Sequence, residues 1–332
     1  MQSIIHVILT GGVGSRLWPL SRKSQPKQYL KIFGGKSLFE MTLNRNQNFV
    51  DSIMVVGNCD NNHLSKNVLD ESNTSYLDIV ESTPRNTAAA IAFAAFASEP
   101  NDILIITPSD HIIEGEKFYK NAINAAISKA SEGFIVTFGI VPTKPETGYG
   151  YIEHNGDDVI SFREKPNKET AIDFVENGNF LWNSGMFCFK ASVLLEELQK
   201  YAPEIYAKSE IVWKANVNGK LDLNLSLDIP SISIDYAVME RSKKIKVILS
   251  EFEWSDLGSF DSVYDYLVAS GHSIDENGNM VIGTDIYSSF IGLQNTIFVC
   301  THNVNLILQK ENSQEVKNIY NALEKQNSNL LY

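Results

Sequence analysis

Three glycines and several basic side chains follow the first apolar run of the chain. The glycines are Gly11, Gly12 and Gly14. Glycine lets backbone N–H groups approach an anion closely and tolerates a positive φ. The guanidinium fork of Arg16 suits bidentate contact with a phosphate, and Lys27 adds a second, mobile cation. These residues have the chemistry needed to bind a small polyanion, although a solvated basic loop would have the same composition.

Two familiar phosphate-binding patterns do not match this stretch. A Walker A loop ends in Gly-Lys-Ser or Gly-Lys-Thr, whereas this chain has Gly14-Ser15-Arg16. The dinucleotide fingerprint needs a third glycine where the chain has Leu17. The missing glycine argues against a dinucleotide oxidoreductase.

The composition narrows the class of protein. The chain has 332 residues, 43% of them hydrophobic, and a formal net charge of −12. An acidic chain argues against a nucleic-acid binder, whose footprint is a basic face. The three cysteines are too widely spaced for a disulfide framework or a metal site. Without a signal-peptide pattern or an apolar stretch of membrane-spanning length, we expect a cytoplasmic protein with no membrane partner.

The first half of the chain alternates apolar runs with helical patterns. The predicted strands are Ile4–Leu9, Ile53–Gly57, Ile103–Thr107 and Phe134–Val141. The predicted helices between them are Ser37–Phe49, Asn61–Glu71, Thr87–Ala97 and Glu116–Lys129. This alternation, with nearly continuous apolar strands, predicts an α/β fold with a doubly wound, mostly parallel, Rossmann-like sheet flanked by helices.

The second half of the chain has a different pattern. Strands are predicted at Gly148–His154, Asp158–Glu164, Gly185–Lys190 and Lys246–Glu251. Helices are predicted at Lys168–Asn177, Ala191–Tyr201, Ile234–Arg241 and Ser259–Ala269. Beyond Gly271 the pattern is strand-like up to Gln309, and a terminal helix is predicted over Ser313–Gln326.

Asp110 follows the predicted strand Ile103–Thr107 at its carboxyl end. Ligands of open α/β sheets bind outside the carboxyl ends of the strands. A carboxylate there suits Mg²⁺, which takes one or two protein carboxylates and completes its shell with substrate phosphates and water. It also suits an Asx turn or a helix cap. The residue by itself leaves both interpretations open.

The segment Gly11–Arg22, followed by Pro26-Lys27-Gln28, resembles the signature of the sugar-1-phosphate nucleotidyltransferases. The Trp18–Arg22 and Pro26–Gln28 details resemble the mannose-1-phosphate guanylyltransferase branch of that family. Further matches to the branch lie at residues 81–88, 108–111, 144–152, 162–166, 182–187, 233–240 and 254–259. The resemblance is strong over roughly residues 4–270 and weak in the tail.

The resemblance implies a set of nucleotide-site residues. Those implied to be catalytic are Arg16, Lys27, Asp110 and Asp256. Those implied to bind the nucleotide are Leu9, Gly11, Gly12, Gly14, Ser15, Arg16, Lys27, Glu81, Pro84, Asn86, Thr87, Ser109 and Asp110. Asp110 and Asp256 are implied to hold Mg²⁺, for which Mn²⁺ would substitute. The chemistry of Asn86 suits the edge of a purine, and the choice of base comes from the family alone.

A second set is implied for the sugar phosphate. Its members are Gly148, Glu164, Lys165, Asn183 and Asp235. Judged without the resemblance, Lys165 has the ordinary alternative of a surface lysine. For Asp235, a helix N-cap and a substrate contact are equally consistent with the sequence.

The resemblance implies a nucleotidyltransferase domain at residues 1–271 and a small, β-rich C-terminal segment at 272–332 that ends in a helix. The implied reaction is GTP plus mannose 1-phosphate to GDP-mannose plus pyrophosphate. The alternatives are transfer between another nucleotide and sugar 1-phosphate, and a non-catalytic, nucleotide-sugar-binding regulatory subunit. The expected partners are GTP and mannose 1-phosphate, with no nucleic acid. The strand-like tail suggests a homodimer.

Overall fold

The computed structural model describes residues 2–32, 34–72 and 74–332. The chain divides into two compact units. Unit 1 comprises the chain up to Gly11, Thr42–Ser109 and Ile113–Trp254. Unit 2 comprises Gly12–Met41, Asp110–Ile112 and Ser255–Tyr332. The glycine-rich stretch after the first strand therefore belongs almost entirely to unit 2.

Strands and helices alternate through much of the chain. The strands are β1 (Ile4–Thr10), β2 (Ser52–Asn58), β3 (Tyr76–Glu81), β4 (Ile103–Pro108), β5 (Ile112–Glu114), β6 (Ile135–Ile140), β7 (Tyr151–Asn155), β8 (Asp158–Arg163), β9 (Phe180–Lys190), β10 (Ile245–Leu249), β11 (Glu253–Ser255), β12 (Met280–Ile282), β13 (Thr296–Cys300) and β14 (Asn305–Gln309). The helices are α1 (Leu38–Asn46), α2 (Asn62–Glu71), α3 (Asn86–Phe96), α4 (Glu116–Ser131), α5 (Lys168–Asn177), α6 (Ala191–Tyr201), α7 (Pro203–Lys214), α8 (Leu223–Leu227), α9 (Phe260–Ala269) and α10 (Val316–Lys325).

A nine-stranded sheet runs through unit 1 in the order β3-β2-β1-β4-β9-β6-β10-β8-β7. Strands β3, β2, β1 and β4 are parallel neighbours, and β6 is parallel to β10. Strand β9 lies antiparallel between β4 and β6, and β7 and β8 form an antiparallel hairpin. The predicted α/β class, with a sheet flanked by helices, is confirmed. The structure refines the sheet from mostly parallel to mixed.

Strand β4 shows how helices cover both faces of this sheet. Leu104 and Ile106 belong to the hydrophobic core that includes the alanine-rich helix α3. Ile103 and Ile105 belong to a second core, which includes residues of α4. Successive side chains of a strand point to opposite faces of its sheet. The continuous apolar run of β4 is therefore explained by burial on both sides.

Several elements depart from the sequence prediction. Helices α5 and α6 have the predicted bounds, whereas β3, α7 and α8 were not predicted. In β3 only the last three residues are buried, so its apolar signal is weak. Strand β9 begins at Phe180, whereas the sequence predicts a start at Gly185. The prediction starts too late because Asn183 and Ser184 are residue types typical of turns. The short helix predicted at Ile234–Arg241 is a π-helical turn over Asp235–Met239.

Unit 2 has its own hydrophobic core and a three-stranded sheet in the order β12-β13-β14. Leu17 and Trp18 of the basic stretch are buried in this core together with Phe260 of α9 and Tyr320 of α10. The core thus joins residues from both ends of the sequence. The domain boundary expected at residue 271 stays a prediction.

Within the described ranges, no helix is long and apolar enough to cross a membrane. The three cysteines are free thiols, with Cys188 buried and Cys59 exposed.

Candidate active site

Glycine is required at two positions of the loop that follows β1. Gly12 and Gly14 have φ angles of 84° and 77°, in the left-handed region where a side chain is strained. A Cβ atom on Gly14 would also lie 2.6 Å from Cβ of Lys27. The backbone N–H of Lys27 donates to the carbonyl of Val13 over 3.1 Å. The loop is therefore packed directly against Lys27, the lysine that the sequence analysis assigns to the same anion site.

Lys27 and Asp110 form an ion pair in unit 2. The Lys27 ammonium lies 2.8 Å from Oδ2 of Asp110, and the lysine side chain is only 4% exposed. The same ammonium donates to the backbone carbonyl of Asp256. Burial acts to raise the pKa of Asp110, but Lys27 and His111 outweigh burial and the net pKa is lowered. Asp110 is therefore ionised at neutral pH.

Asp256 lies in a tight turn just before helix α9. Its Oδ1 accepts from the backbone N–H of Gly258 over 2.9 Å. A Cβ on Gly258 would lie 2.5 Å from Oδ2 of Asp256, so a larger residue at position 258 would clash with the carboxylate in this position. The turn fixes the orientation of the carboxylate.

Seven of the predicted nucleotide-site residues line one cavity of about 460 Å³ in unit 2, which we call the phosphate cavity. They are Gly12, Gly14, Ser15, Arg16, Lys27, Asp110 and Asp256. Helix α10 contributes Tyr320, Asn321 and Glu324 to its lining. Arg16 donates from Nη1 to Oε1 of Gln314 over 3.3 Å. Residues distant in sequence thus bring cations and carboxylates to a single cavity.

The donor set of the phosphate cavity fits a hard divalent cation. Asp110 and Asp256 supply carboxylate oxygens, the ligands that Mg²⁺ prefers. Across the part of the chain that the structure describes, no group of three or more His, Cys, Asp or Glu residues could hold a metal. Two carboxylates suit an ion whose remaining ligands are substrate phosphates and water.

The predicted base-binding segment lies in unit 1, between β3 and α3. Glu81 is 7% exposed, and its Oε1 has no hydrogen-bond partner. Burial raises the pKa of Glu81 to about 7, against a smaller opposing effect of the Arg85 backbone. A buried acceptor without a partner is costly unless a ligand satisfies it. Pro84 and Asn86 of the same segment are less buried than Glu81.

Asn86 and Thr87 shape the start of α3. Asn86 has a φ of 69°, and its Oδ1 accepts from the backbone N–H of Thr87 over 2.8 Å. The Thr87 hydroxyl accepts from the backbone N–H of Ile234 over 2.9 Å. The predicted base-binding segment is therefore joined to the residue that precedes Asp235. Elsewhere in unit 1, the backbone N–H of Ser109 donates to the carbonyl of Leu9 over 3.1 Å.

Three side chains in unit 1 form a connected group that we call the amide cluster: Thr137, Asn183 and Asp235. The Asn183 amide donates to Oδ1 of Asp235 over 3.2 Å, and its oxygen accepts from the Thr137 hydroxyl over 3.1 Å. Burial and the neighbouring Glu164 raise the pKa of Asp235 to about 6. The N-cap of the helical turn is Ile234, so Asp235 is its first residue rather than its cap.

The other predicted sugar-phosphate residues have polar partners in unit 1. The Lys165 ammonium contacts Oε1 of Glu164, which is 8% exposed, whereas the lysine is 57% exposed. A Cβ on Gly150 would lie 2.5 Å from Oε2 of Glu164, so glycine makes room for this carboxylate. The backbone N–H of Gly148 donates to Oε1 of Glu146 over 3.1 Å.

The sequence patterns missed several residues around these sites. Those at the phosphate cavity come from the C-terminal part of unit 2: Tyr320, Asn321 and Glu324 line it, and Gln314 bonds to Arg16. Thr137 of the amide cluster lies within the apolar strand β6. None of these residues stands in a motif, because tertiary packing alone brings them to their sites.

Comparisons with known proteins show the family of the chain. The model of the nucleotidyl transferase family matches residues 5–271. The mannose-1-phosphate guanylyltransferase of Salmonella muenchen is 38% identical over 357 residues, covering 99% of the chain and 75% of that protein. A structure from Thermus thermophilus, described as a mannose-1-phosphate geranyltransferase, has a TM-score of 0.84 at 27% identity, covering 97% of the chain and 100% of that structure.

A further structure, described as a mannose-6-phosphate isomerase from Helicobacter pylori, is 39% identical with a TM-score of 0.70. The match covers 76% of this chain and 99% of that one. The chain belongs to the nucleotidyl transferase family and is an enzyme of that class. The substrates of the family are a nucleoside triphosphate and a sugar 1-phosphate, and its members generally use a divalent metal.

Proposed function

We propose that the chain is a mannose-1-phosphate guanylyltransferase, which converts GTP and mannose 1-phosphate to GDP-mannose and pyrophosphate. The observation that carries this proposal is the phosphate cavity. It combines a glycine loop, Arg16, the buried Lys27 and two aspartates in unit 2. A triphosphate needs cations and backbone N–H donors, and a metal ion on its phosphates needs carboxylates. The name of the Salmonella relative supports the choice of mannose 1-phosphate and of the guanylyl group.

In the proposed mechanism, a phosphate oxygen of mannose 1-phosphate attacks the α-phosphorus of GTP in line, and pyrophosphate leaves. A phosphate monoester has a second pKa near 6, so the nucleophile is largely ionised at neutral pH and needs no general base. Arg16 and Lys27 orient the triphosphate and neutralise its charge. Asp110 and Asp256 would hold Mg²⁺, with Mn²⁺ as a substitute. The ion would supply charge neutralisation at the phosphates.

The sugar phosphate is proposed to bind in unit 1. The half-exposed Lys165 supplies a mobile cation for its phosphate. Asn183, Asp235 and Glu164 present acceptors for sugar hydroxyls, and the connected amide cluster supports this assignment. Gly148 is proposed to contribute its backbone. That N–H donates to Glu146 in the structure, so sugar binding there would exchange one acceptor for another.

Selection of guanine is proposed to involve Glu81. The Watson–Crick edge of guanine carries two neighbouring N–H donors, and a carboxylate accepts both. The partnerless Oε1 of Glu81 supports this role, with Pro84, Asn86 and Thr87 as neighbours on the same segment. An adenine edge presents a different donor and acceptor pattern.

Pyrophosphate release tests the proposal against its alternatives. Purified protein would be assayed with GTP, ATP, UTP, CTP and dTTP, each with mannose 1-phosphate and with glucose 1-phosphate. We expect the highest kcat/KM with GTP and mannose 1-phosphate. Equal or better turnover with UTP or dTTP and glucose 1-phosphate would replace the substrates and keep the reaction class. Binding without turnover of any pair would favour a regulatory subunit.

The name of the Helicobacter pylori structure raises a second activity, the isomerisation of mannose 6-phosphate. We propose guanylyl transfer as the activity of this chain, because the residues of the phosphate cavity suit a triphosphate. The same preparation should therefore show no formation of fructose 6-phosphate. A cytoplasmic location and a homodimer remain part of the proposal, to be tested by fractionation and by light scattering.

A further inference from the structure

The basic residues after β1 separate into two groups. Arg16 and Lys27 line the phosphate cavity. Arg22 and Lys23 instead contact the last part of the chain, residues 301–332. Arg22 is only 7% exposed although it carries a full positive charge. A buried charge is costly unless it is well hydrogen-bonded, so its environment should show what holds it there.

Four oxygen acceptors surround the Arg22 guanidinium. Nη2 donates to Oδ1 of Asn303 over 2.6 Å and to Oγ1 of Thr301 over 3.3 Å. Nη1 donates to the backbone oxygen of Tyr332 over 3.1 Å, and Nε donates to the carbonyl of Pro19 over 3.2 Å. A guanidinium has five donors in a fixed fork, so one side chain bonds to three separate segments of unit 2.

The neighbours of Arg22 contact the same part of the chain. The indole N–H of Trp18 donates to the carbonyl of Leu330 over 3.1 Å. The backbone N–H of Lys23 donates to the carbonyl of Leu331 over 2.7 Å. Residues 330–332 are thus bonded to residues 18–23 at three points. We call this arrangement the Arg22 anchor.

Short hydrogen bonds connect the Arg22 anchor to the glycine loop. The hydroxyl of Ser21, the residue before Arg22, donates to the carbonyl of Gly14 over 2.6 Å. The backbone N–H of Leu17 donates to the same carbonyl over 2.8 Å. Gly14 has a φ of 77° and packs against Lys27, so its place depends on the segment that holds its carbonyl.

We infer that Arg22 is a positioning residue for nucleotide binding: it fixes the glycine loop by anchoring residues 18–23 to residues 301–332. Arg22 acts through the backbone and makes no contact with the phosphates. The inference rests on the proposed function for its ligand, GTP, whereas its effect on the loop can be measured without any ligand.

The experiment compares Arg22→Met with Lys36→Met in the full chain. Both variants remove one positive charge from the basic stretch after β1, but Lys36 is exposed and lies outside the Arg22 anchor, so it serves as the charge-matched control. Hydrogen–deuterium exchange of the peptide that covers residues 10–17 reports the loop without ligand. Calorimetric titrations with GTP and with mannose 1-phosphate report the two sites.

We expect Arg22→Met to speed exchange in the loop and to weaken GTP binding about tenfold, the loss expected for hydrogen bonds from a charged group. Affinity for mannose 1-phosphate should stay within about twofold, and Lys36→Met should match the wild type in both measurements. Arg22→Lys, which keeps the charge and part of the bonding, should restore part of the GTP affinity. Unchanged exchange in Arg22→Met, or equal weakening by Lys36→Met, would overturn the inference.

Asn303→Ala keeps the experiment decisive if Arg22→Met fails to fold. It removes the 2.6 Å acceptor and leaves the guanidinium in place, so loop exchange should still rise, by less. No rise in Asn303→Ala would also overturn the inference. If the wild type failed to bind GTP while loop exchange still responded to Arg22→Met, the proposed function would fail and the positioning role would stand.

Discussion

The phosphate cavity of unit 2 and the amide cluster of unit 1 hold polar groups in opposite ways. In the phosphate cavity, the ammonium of Lys27, almost fully buried, is balanced by the ionised carboxylate of Asp110. In the amide cluster, the neutral Thr137 donates a hydrogen bond to the neutral Asn183, which donates one to Asp235. The pKa of Asp235 is raised to about 6. One site lowers the pKa of its aspartate, and the other raises it.

This difference follows from the ligands that we propose for the two sites. A triphosphate and a metal ion require cations and carboxylates, whereas sugar hydroxyls are recognised by oriented hydrogen-bonding groups. Substitutions in the phosphate cavity should therefore change nucleotide parameters and turnover. Substitutions in the amide cluster and at Lys165 should change sugar-phosphate parameters.

The largest expected effect comes from the two aspartates of the phosphate cavity. Asp110→Asn and Asp256→Asn keep the size of the side chain but remove the charge that a cation needs. Each should lower kcat by about a hundredfold or more, since an ion that stabilises phosphate charge is worth several kcal/mol. Asp173→Asn, on the exposed face of α5, is the matched control and should keep wild-type turnover.

Excess EDTA should abolish wild-type turnover, and Mg²⁺ or Mn²⁺ should restore it. Full activity in EDTA would remove the metal from the mechanism. Near-wild-type kcat in either variant at limiting Mg²⁺ would remove that aspartate from the metal site.

The same two variants should differ in stability. Asp110→Asn leaves the buried ammonium of Lys27 without its countercharge, which costs about 3–5 kcal/mol when a buried pair is broken. Asp256→Asn keeps an oxygen for the N–H of Gly258 and should unfold at nearly the wild-type temperature. Thermal unfolding without ligand makes the comparison. Equal melting temperatures for both variants would show that the Lys27–Asp110 pair contributes little.

The two lysines should separate the substrates. Lys27→Ala should raise KM for GTP, and Lys165→Ala should raise KM for mannose 1-phosphate, each by about tenfold to a hundredfold, the range for a charge-assisted hydrogen bond. Steady-state kinetics with either substrate varied would measure both effects. Identical changes in both parameters for both variants would refute the assignment of separate sites.

A smaller, pH-dependent effect is expected at Glu81. With a pKa of about 7, this carboxyl gains a proton as the pH falls through neutrality and loses its ability to accept two bonds from guanine. KM for GTP should therefore rise on acidification by up to about tenfold per pH unit below the pKa. In Glu81→Gln the rise should be reduced to the part caused by titration of GTP itself. Parallel profiles for the two proteins would argue against a base contact at Glu81.

The smallest effect concerns stability at Asp235. Its pKa is about 6 in the folded chain against an ordinary value of 3.8, so the folded state binds the proton more tightly. The free energy of unfolding should fall as the pH rises from about 4 to about 6. Asp235→Asn removes this contribution. The free energy of unfolding of the variant, minus that of the wild type, should therefore be larger at neutral pH than at acidic pH. Denaturant titrations of both proteins at pH 4 and pH 7 measure this difference. The same difference at both pH values would show that Asp235 does not cause the pH dependence.

The sequence predicts the two sites to different extents. The glycine loop, Lys27 and the strand before Asp110 can be recognised from the local sequence. Positive φ angles favour glycine, and burial on both faces of a sheet requires a continuous apolar run. The ion pair between Lys27 and Asp110 carries none, since the residues are distant in sequence and meet only through packing. The same holds for Thr137 in the amide cluster and for Gln314 beside Arg16. The antiparallel insertion of β9 is also a property of the sheet rather than of its own apolar pattern.

Isotope transfer tests the central claim most directly. Mannose 1-phosphate labelled with ¹⁸O at its non-bridging phosphate oxygens would be incubated with GTP, Mg²⁺ and the purified wild type, and the products followed by ³¹P NMR. Attack by the sugar phosphate on the α-phosphorus predicts GDP-mannose with ¹⁸O in the bridge between its two phosphorus atoms, and pyrophosphate without label. Label in the pyrophosphate, or no GDP-mannose while another nucleotide and sugar 1-phosphate react, would contradict the account.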